Sequence, residues 1–163
     1  MAVRNCADIG ENLQKIVKRL MANDRLVNLL YYTDKDPYNQ TPLTDEQKRD
    51  FIFEKLIKLV PRVGPKETAH SIISIRVVHG TRLTSNTEFK DVGINIEVFV
   101  PLTQWIIKDT NLRPFAIMGE IQKSLDGKTI NGLGKMIGGD FTLNFLTEEI
   151  SCYEQTFRLT AYD

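Results

Sequence analysis

The glycine-rich segment GLGKMIGG, residues 132–139, carries the residue types that most resemble a phosphate-binding loop. A P-loop requires the pattern G-x-x-x-x-G-K-[ST], because its last hydroxyl reaches the magnesium ion. Here the pair Gly134-Lys135 is followed by Met136, which has no hydroxyl. The dinucleotide fingerprint also fails, since no predicted strand precedes the glycines and no helix follows them. The segment therefore predicts unusual backbone angles and a possible bulge at a helix-to-strand junction.

Metal-ligating residue types are few and scattered. His70 and His79 are the two histidines, and they flank one predicted strand at an odd separation. An odd separation points two side chains to opposite faces of a regular strand, so they cannot share a ligand. The two cysteines, Cys6 and Cys152, lie near opposite ends without a C-x-x-C motif, which favours reduced thiols over a disulfide. We expect no metal and no cofactor.

Acidic residues could supply general acid–base chemistry, but no spacing singles out a pair. Asp45-Glu46 falls in the first turn of a predicted helix, where negative charge is favoured, and Glu148-Glu149 falls in a predicted hairpin turn. A site assembled from scattered carboxylates would use Glu97, Glu120 and Glu154, and nothing in their spacing favours it. The sequence thus predicts a protein that is not an enzyme.

The composition is that of an ordinary globular chain. Of 163 residues, 42% are apolar and 26% are charged, with 21 basic and 21 acidic side chains. This balance gives no argument for binding nucleic acid or an anionic membrane. No apolar run reaches the length of a membrane span, and the N-terminus lacks the apolar core of a signal peptide. We expect the protein to stay inside the cell that makes it.

The first third of the chain is helical in pattern. Leu13, Ile16, Val17 and Leu20 form one apolar stripe of an amphipathic helix. Thr44 and Gln47 make a capping box, which begins a helix that Pro61 is expected to end. We therefore predict a single domain over residues 1–163, with an N-terminal helical segment at 1–60 and a ββαββ core at 70–163.

The core alternates in hydrophobicity with a period of two. Two such strands form a hairpin with a long polar tip at 80–91, and a helix beginning at Asn111 follows them. Pro114 suits its first turn and Gly127 its left-handed stop. A closing hairpin puts Phe141, Leu143 and Phe145 on one face. The fold class is α+β, an antiparallel sheet of four or more strands with a helix packed across it, preceded by the N-terminal helical segment.

Aromatic residues indicate which part of the surface contacts another subunit. Phe99 lies on the polar face of its strand, so either that face is partly covered or Phe99 meets a neighbouring subunit. The candidate interface residues are Arg82, Glu88, Phe89, Lys90, Phe99 and Trp105.

Several motifs in the second half of the chain resemble those of bacteriophage tail completion proteins, and more narrowly the tail terminator family. They are Arg113-Pro114-Phe115, Ile117, Ile121, Leu125, Gly127-Lys128, Ile130-Asn131-Gly132-Leu133 and the closing strand Tyr153-Glu154-Gln155-Thr156-Phe157. The resemblance implies a virion structural protein, assembled in the host cytoplasm, that caps the tail tube and joins tail to head. It implies a ring, usually a hexamer, whose partners are tail tube and neck or connector proteins. DNA would pass through the lumen without sequence-specific binding, and no membrane would be involved.

Two alternatives remain open from the sequence. The helices before Pro61 exceed what a compact terminator needs, so another neck, adaptor or tail component fits as well. A small non-enzymatic inhibitor that binds one host partner is the other alternative, and it predicts a stable monomer or dimer.

Overall fold

A computed structural model describes residues 6–59, 69–82, 89–108, 111–130 and 134–160 of the chain. The helices are α1 (Cys6–Met21), α2 (Asp24–Tyr31), α3 (Asp45–Phe51) and α4 (Arg113–Leu125). The strands are β1 (Ile57–Lys58), β2 (Ile72–Arg82), β3 (Phe89–Pro101), β4 (Ile106–Ile107), β5 (Asn111–Leu112), β6 (Thr129–Ile130), β7 (Gly134–Leu146) and β8 (Ile150–Thr160).

Six of the strands form one sheet in the order β1-β2-β3-β8-β7-β6, and β4 pairs with β5 in a second, small sheet. The predicted α+β class is confirmed, with α4 packed across the sheet on β3 and β7 and helices preceding it. The sheet is mixed and not wholly antiparallel, because β1 runs parallel to β2. That pair spans two residues of β1, so the antiparallel character dominates.

The N-terminal helices pack on α4. The apolar stripe of α1 is buried at Ile16, Val17 and Leu20, and both α1 and α2 contact α4. Asn23 caps α2 through its Oδ1, which accepts from the backbone N of Leu26 at 3.1 Å. The N-terminal helices therefore pack with α4 and extend the hydrophobic core.

The capping box of α3 is confirmed, but the predicted length of that helix is wrong. Gln47 N donates to Thr44 Oγ1 at 3.2 Å and Thr44 N donates to Gln47 Oε1 at 2.9 Å. The helix ends at Phe51 and does not run to Pro61. A turn with Glu54 at φ 58° brings Ile57 beside Ile73, so pairing with β2 overrides the helical periodicity of this segment.

The hairpin of β2 and β3 is longer than its sequence pattern indicates. The strands stay paired as far as Arg82 opposite Phe89, so residues 80–82 and 89–91 of the polar segment are strand, and residues 83–88 lie outside the described residues. The candidate interface residues Phe89 and Lys90 begin β3 and Arg82 ends β2, whereas Glu88 lies outside the described residues.

The start of α4 differs from the prediction, and its end agrees with it. Asn111 lies in β5 opposite Ile107, and Leu112 is the N-cap without a side-chain hydrogen bond, so the predicted cap is wrong. Pro114 lies in the first turn as expected. Gly127 has φ 68°, the left-handed conformation predicted for the stop.

Bulges in β7 change which residues share a face. The register with β8 shifts between Gly138 and Asp140 and again between Leu143 and Phe145. A Cβ on Gly138, whose φ is 138°, would lie 2.5 Å from the backbone O of Thr156, so glycine is needed at the first bulge. The second bulge turns Phe145 to the face opposite Leu143, and the predicted common face is wrong for Phe145.

Candidate assembly surface

An aromatic cluster lies where β7 and β8 meet the start of α4. Phe115 of α4 has its ring centroid 5.2 Å from that of Tyr153 and 5.8 Å from that of Phe141. Trp105, one of the predicted interface residues, lies 6.3 Å from Tyr153 on the other side. The four rings form a continuous apolar band that begins on α4 and ends after β3.

An apolar groove of about 310 Å³ runs along this band. Its lining residues are Leu102, Trp105, Leu143, Leu146 and Tyr153. Leu143 is 50% exposed and Leu146 is 59% exposed, and neighbouring Phe141 is 56% exposed. A monomeric soluble protein rarely leaves large apolar side chains contiguous on its surface, so such a patch indicates a contact site.

The backbone of β7 adds unpaired hydrogen-bonding groups to this surface. The short strand β6 pairs with β7 at Gly134 and Lys135, and β8 occupies the other side along the whole strand. From Asp140 to Leu146 no strand of the described chain pairs with the outer edge of β7. An exposed edge with apolar side chains is a template for pairing with another chain.

Phe99 does not lie in the groove. It is 6% exposed, on the opposite face of the sheet, and its ring centroid lies 6.0 Å from that of Phe145. The described chain therefore covers Phe99 itself, and its role at an interface stays a prediction. Its neighbour Phe145 is 40% exposed and is the ring that reaches solvent there.

A partly buried ion cluster occupies that same opposite face. Arg76 Nη2 lies 3.1 Å from Glu97 Oε1 and 2.6 Å from Glu154 Oε2, and Asn144 Nδ2 donates to Glu97 Oε1 at 3.1 Å. Burial raises the pKa of the Glu97 carboxyl, and Arg76 opposes that rise. Burial, with Glu97 nearby, also raises the pKa of the Cys152 thiol to about 12, so this cysteine stays a thiol.

The three carboxylates considered for catalysis do not meet. Glu97 and Glu154 lie opposite one another across β3 and β8, whereas Glu120 lies on α4 and contacts Asn23, Arg25 and Lys123. No group of three or more potential metal ligands occurs in the part of the chain that the structure describes. Each helix within the described ranges is too short or too polar to cross a bilayer.

Comparison with known proteins places the chain in a protein family. The family model for YomW matches residues 23–158, which include α2 to α4 and most of the six-stranded sheet. No curated protein and no solved structure matches the chain.

Proposed function

Since this chain belongs to the YomW family, a phage-derived family of Bacillus, we propose that it is a virion structural protein that forms a ring. The ring would cap the tail tube and join tail to head, as the resemblance to tail terminators implies. Its partners would be copies of itself, the tail tube and the neck or connector proteins, and DNA would pass through its lumen.

The apolar groove beside the free edge of β7 is the observation that carries this proposal. Leu143, Leu146 and Phe141 present large apolar side chains to solvent, and the adjoining strand edge offers unpaired backbone groups. Burial of both by another copy would satisfy the edge and remove the exposed apolar area from water. Self-association therefore explains both the exposed apolar side chains and the unpaired backbone groups of the β7 edge.

The two edges of the sheet support a ring over a closed dimer. β1 pairs with β2 at Ile73 and Ser74, and beyond Ser74 the outer edge of β2 has no partner strand among the described residues. Pairing the β7 edge of one copy with the β2 edge of the next joins two different surfaces. Such a heterologous contact repeats from copy to copy, and it closes into a ring when the rotation permits.

The test is the mass in solution, measured by light scattering after size exclusion over a range of protein concentrations. We expect a concentration-dependent multimer that negative-stain images resolve as a ring, with six copies as the expected number. The double substitution Leu143→Asp and Leu146→Asp should shift the concentration of half-assembly upward by at least about tenfold, because apolar anchors at interface centres carry much of the binding energy. Phe53→Asp, a matched change at a partly exposed apolar residue outside the groove, should leave the mass unchanged.

The alternative of a host-directed inhibitor makes the opposite prediction. A monomer or dimer at every concentration, recovered from infected cells with a host protein and not with tail components, would contradict the ring. In that case the groove would be the binding site for the host protein.

A further inference from the structure

A basic cleft lies between α1 and β6, away from the apolar groove. Its volume is about 380 Å³, and its lining residues are Lys15, Lys18, Arg19, Thr129 and Ile130. The three basic residues stand at positions i, i+3 and i+4 of α1, which puts them on one face of the helix. All three are exposed, so the cleft is a concentrated patch of positive charge in a chain with a net charge of zero.

No carboxylate within the described residues neutralises this patch. Lys15 Nζ donates to the amide oxygen Oδ1 of Asn12 at 2.8 Å, and Arg19 Nε donates to the backbone O of Ser124 at 2.5 Å. Both partners are neutral. Lys18 forms no salt bridge with any residue in the described ranges. The cleft is thus a receptor for negative charge.

The complementary charge stands at the turn between β7 and β8. Thr147 orders this turn, since its Oγ1 accepts from the backbone N of Glu149 at 3.2 Å and from that of Ile150 at 3.1 Å. Glu148 and Glu149 are exposed on it, and neither forms a salt bridge with a described residue. Leu146 precedes them, so the acidic turn continues directly from the apolar groove.

One chain cannot bring its own turn to its own cleft. β6, which lines the cleft, pairs with the first residues of β7, and the acidic turn follows the last residue of β7. At about 3.3 Å per residue, this strand separates the two by roughly 40 Å. The charges are therefore complementary between copies and not within one.

We propose that the acidic β7–β8 turn, Glu148 and Glu149, docks in the basic cleft of a second copy at Lys15 and Lys18. This contact rests on the proposed function and specifies how neighbouring copies recognise one another. The contact fixes the relative orientation of two copies. The basic cleft at one end of β7 attracts the acidic turn at the other end of β7 in the next copy and repels the basic cleft of that copy. Opposite charges across an interface act mainly on partner choice and register, which is what a ring of identical copies requires.

A charge exchange between the two surfaces tests the contact. One variant carries Glu148→Lys and Glu149→Lys, and the other carries Lys15→Glu and Lys18→Glu, with Arg19 retained because its bond to Ser124 ties α1 to α4. Each variant alone should shift the concentration of half-assembly upward by about tenfold or more, because like charges then face one another. Far-ultraviolet circular dichroism and the melting temperature show that each variant is folded.

An equimolar mixture of the two variants provides the decisive arm. The basic turn of the first variant then meets the acidic cleft of the second, and the acidic turn of the second meets the basic cleft of the first. The mixture should therefore recover the wild-type mass with the two variants alternating. Absence of recovery, or wild-type assembly by either variant alone, would overturn the contact while leaving the ring intact. A cleft variant that assembles normally but loses binding to a DNA duplex would overturn it in favour of a polyanion site. Failure of the wild type itself to assemble would overturn the contact and the proposed function together.

Discussion

Arg113 is a fully buried cation held entirely by backbone carbonyls. Its Nη1 donates to the O of Leu29 at 2.7 Å and to the O of Tyr32 at 2.8 Å, and its Nε donates to the O of Gln104 at 2.9 Å. Its Nη2 donates to the O of Asp34. These carbonyls include the C-terminal end of α2, whose dipole favours a positive charge. A single side chain thus joins the first residue of α4 to the end of α2 and to the turn after β3.

Arg113→Lys should destabilise the protein by about 3 kcal/mol, because an ammonium on an unforked stem leaves several buried carbonyls unsatisfied. Urea unfolding at pH 7, followed by circular dichroism, measures the free energy. The matched control Arg49→Lys, at an exposed position of α3, should change it by no more than about 0.5 kcal/mol. Equal effects of the two substitutions would contradict the role given to the guanidinium.

At the scale of elements, Asn23 and Glu120 join the start of α2 to α4. The Oδ1 of Asn23 caps α2, and its Nδ2 donates to Glu120 Oε2 at 3.1 Å and to Ser124 Oγ at 3.0 Å. Lys123 Nζ also donates to Glu120 Oε1 at 2.8 Å. Burial opposes ionisation of Glu120, but the bonds from Lys123 and Asn23 outweigh it and hold the pKa of this carboxyl below its ordinary value of 4.5.

This lowered pKa gives the junction a definite pH dependence. The carboxylate is favoured in the folded state, so Glu120 contributes stability above pH 4.5, and that contribution is lost as the pH falls through the folded pKa. Glu120→Gln should therefore cost about 1 kcal/mol at pH 7, and the difference from wild type should close in strong acid. Glu97 has a raised pKa and acts with the opposite sign, as stability falls when the pH rises above 4.5. Glu97 is present in both proteins, so its contribution cancels when the unfolding free energies of Glu120→Gln and wild type are subtracted.

Urea unfolding of both proteins from pH 3 to pH 7 gives this difference directly. Glu11→Gln, on the exposed side of α1, is the matched control for removing one carboxylate. If the difference in unfolding free energy between Glu120→Gln and wild type stays constant with pH, the ionised carboxylate of Glu120 does not stabilise the junction.

The elements differ in how far the sequence predicts them. Alternation predicts β2, β3 and β8, most clearly β3, where Val92, Ile94, Ile96, Val98 and Val100 bury one whole face. The Thr44 box marks the start of α3 because capping is local. The end of α3 was missed because Ile52, Leu56 and Ile57 keep a helical spacing while strand pairing bends the chain. The predicted face of Phe145 is wrong because the bulge between Leu143 and Phe145 reverses the alternation of side chains, and the sequence pattern does not reveal the bulge.

The sequence did not predict the groove. Trp105 was among the candidate residues, but Phe141 and Leu143 were assigned only to a shared apolar face. Alternation indicates which side chains share a face, whereas the position of α4 decides which part of that face is covered. Their exposure follows from α4 contacting β7 without covering its second half, and no local signal carries that information.

At the scale of the whole molecule, the surface is divided into parts that suit contact with further copies. The apolar groove, the acidic turn and the free edge of β7 adjoin one another, and the basic cleft lies at the other end of the same strand. The net charge of zero does not reveal this separation of the basic cleft from the acidic turn. A subunit with unlike ends adds copies in one direction, which is the geometry of rings and filaments.

Trp105 makes this arrangement measurable, because it is the one tryptophan of the chain and it lines the groove. Covering the groove on assembly would remove solvent from its indole. We expect acrylamide to quench its fluorescence about twofold less in the assembled form than in diluted monomer, as buried area is inaccessible to the quencher. The Leu143→Asp and Leu146→Asp protein should keep the monomer value at every concentration. Equal quenching of assembled and dilute wild-type protein would mean that the copies meet elsewhere and leave the groove free for a tail or neck protein.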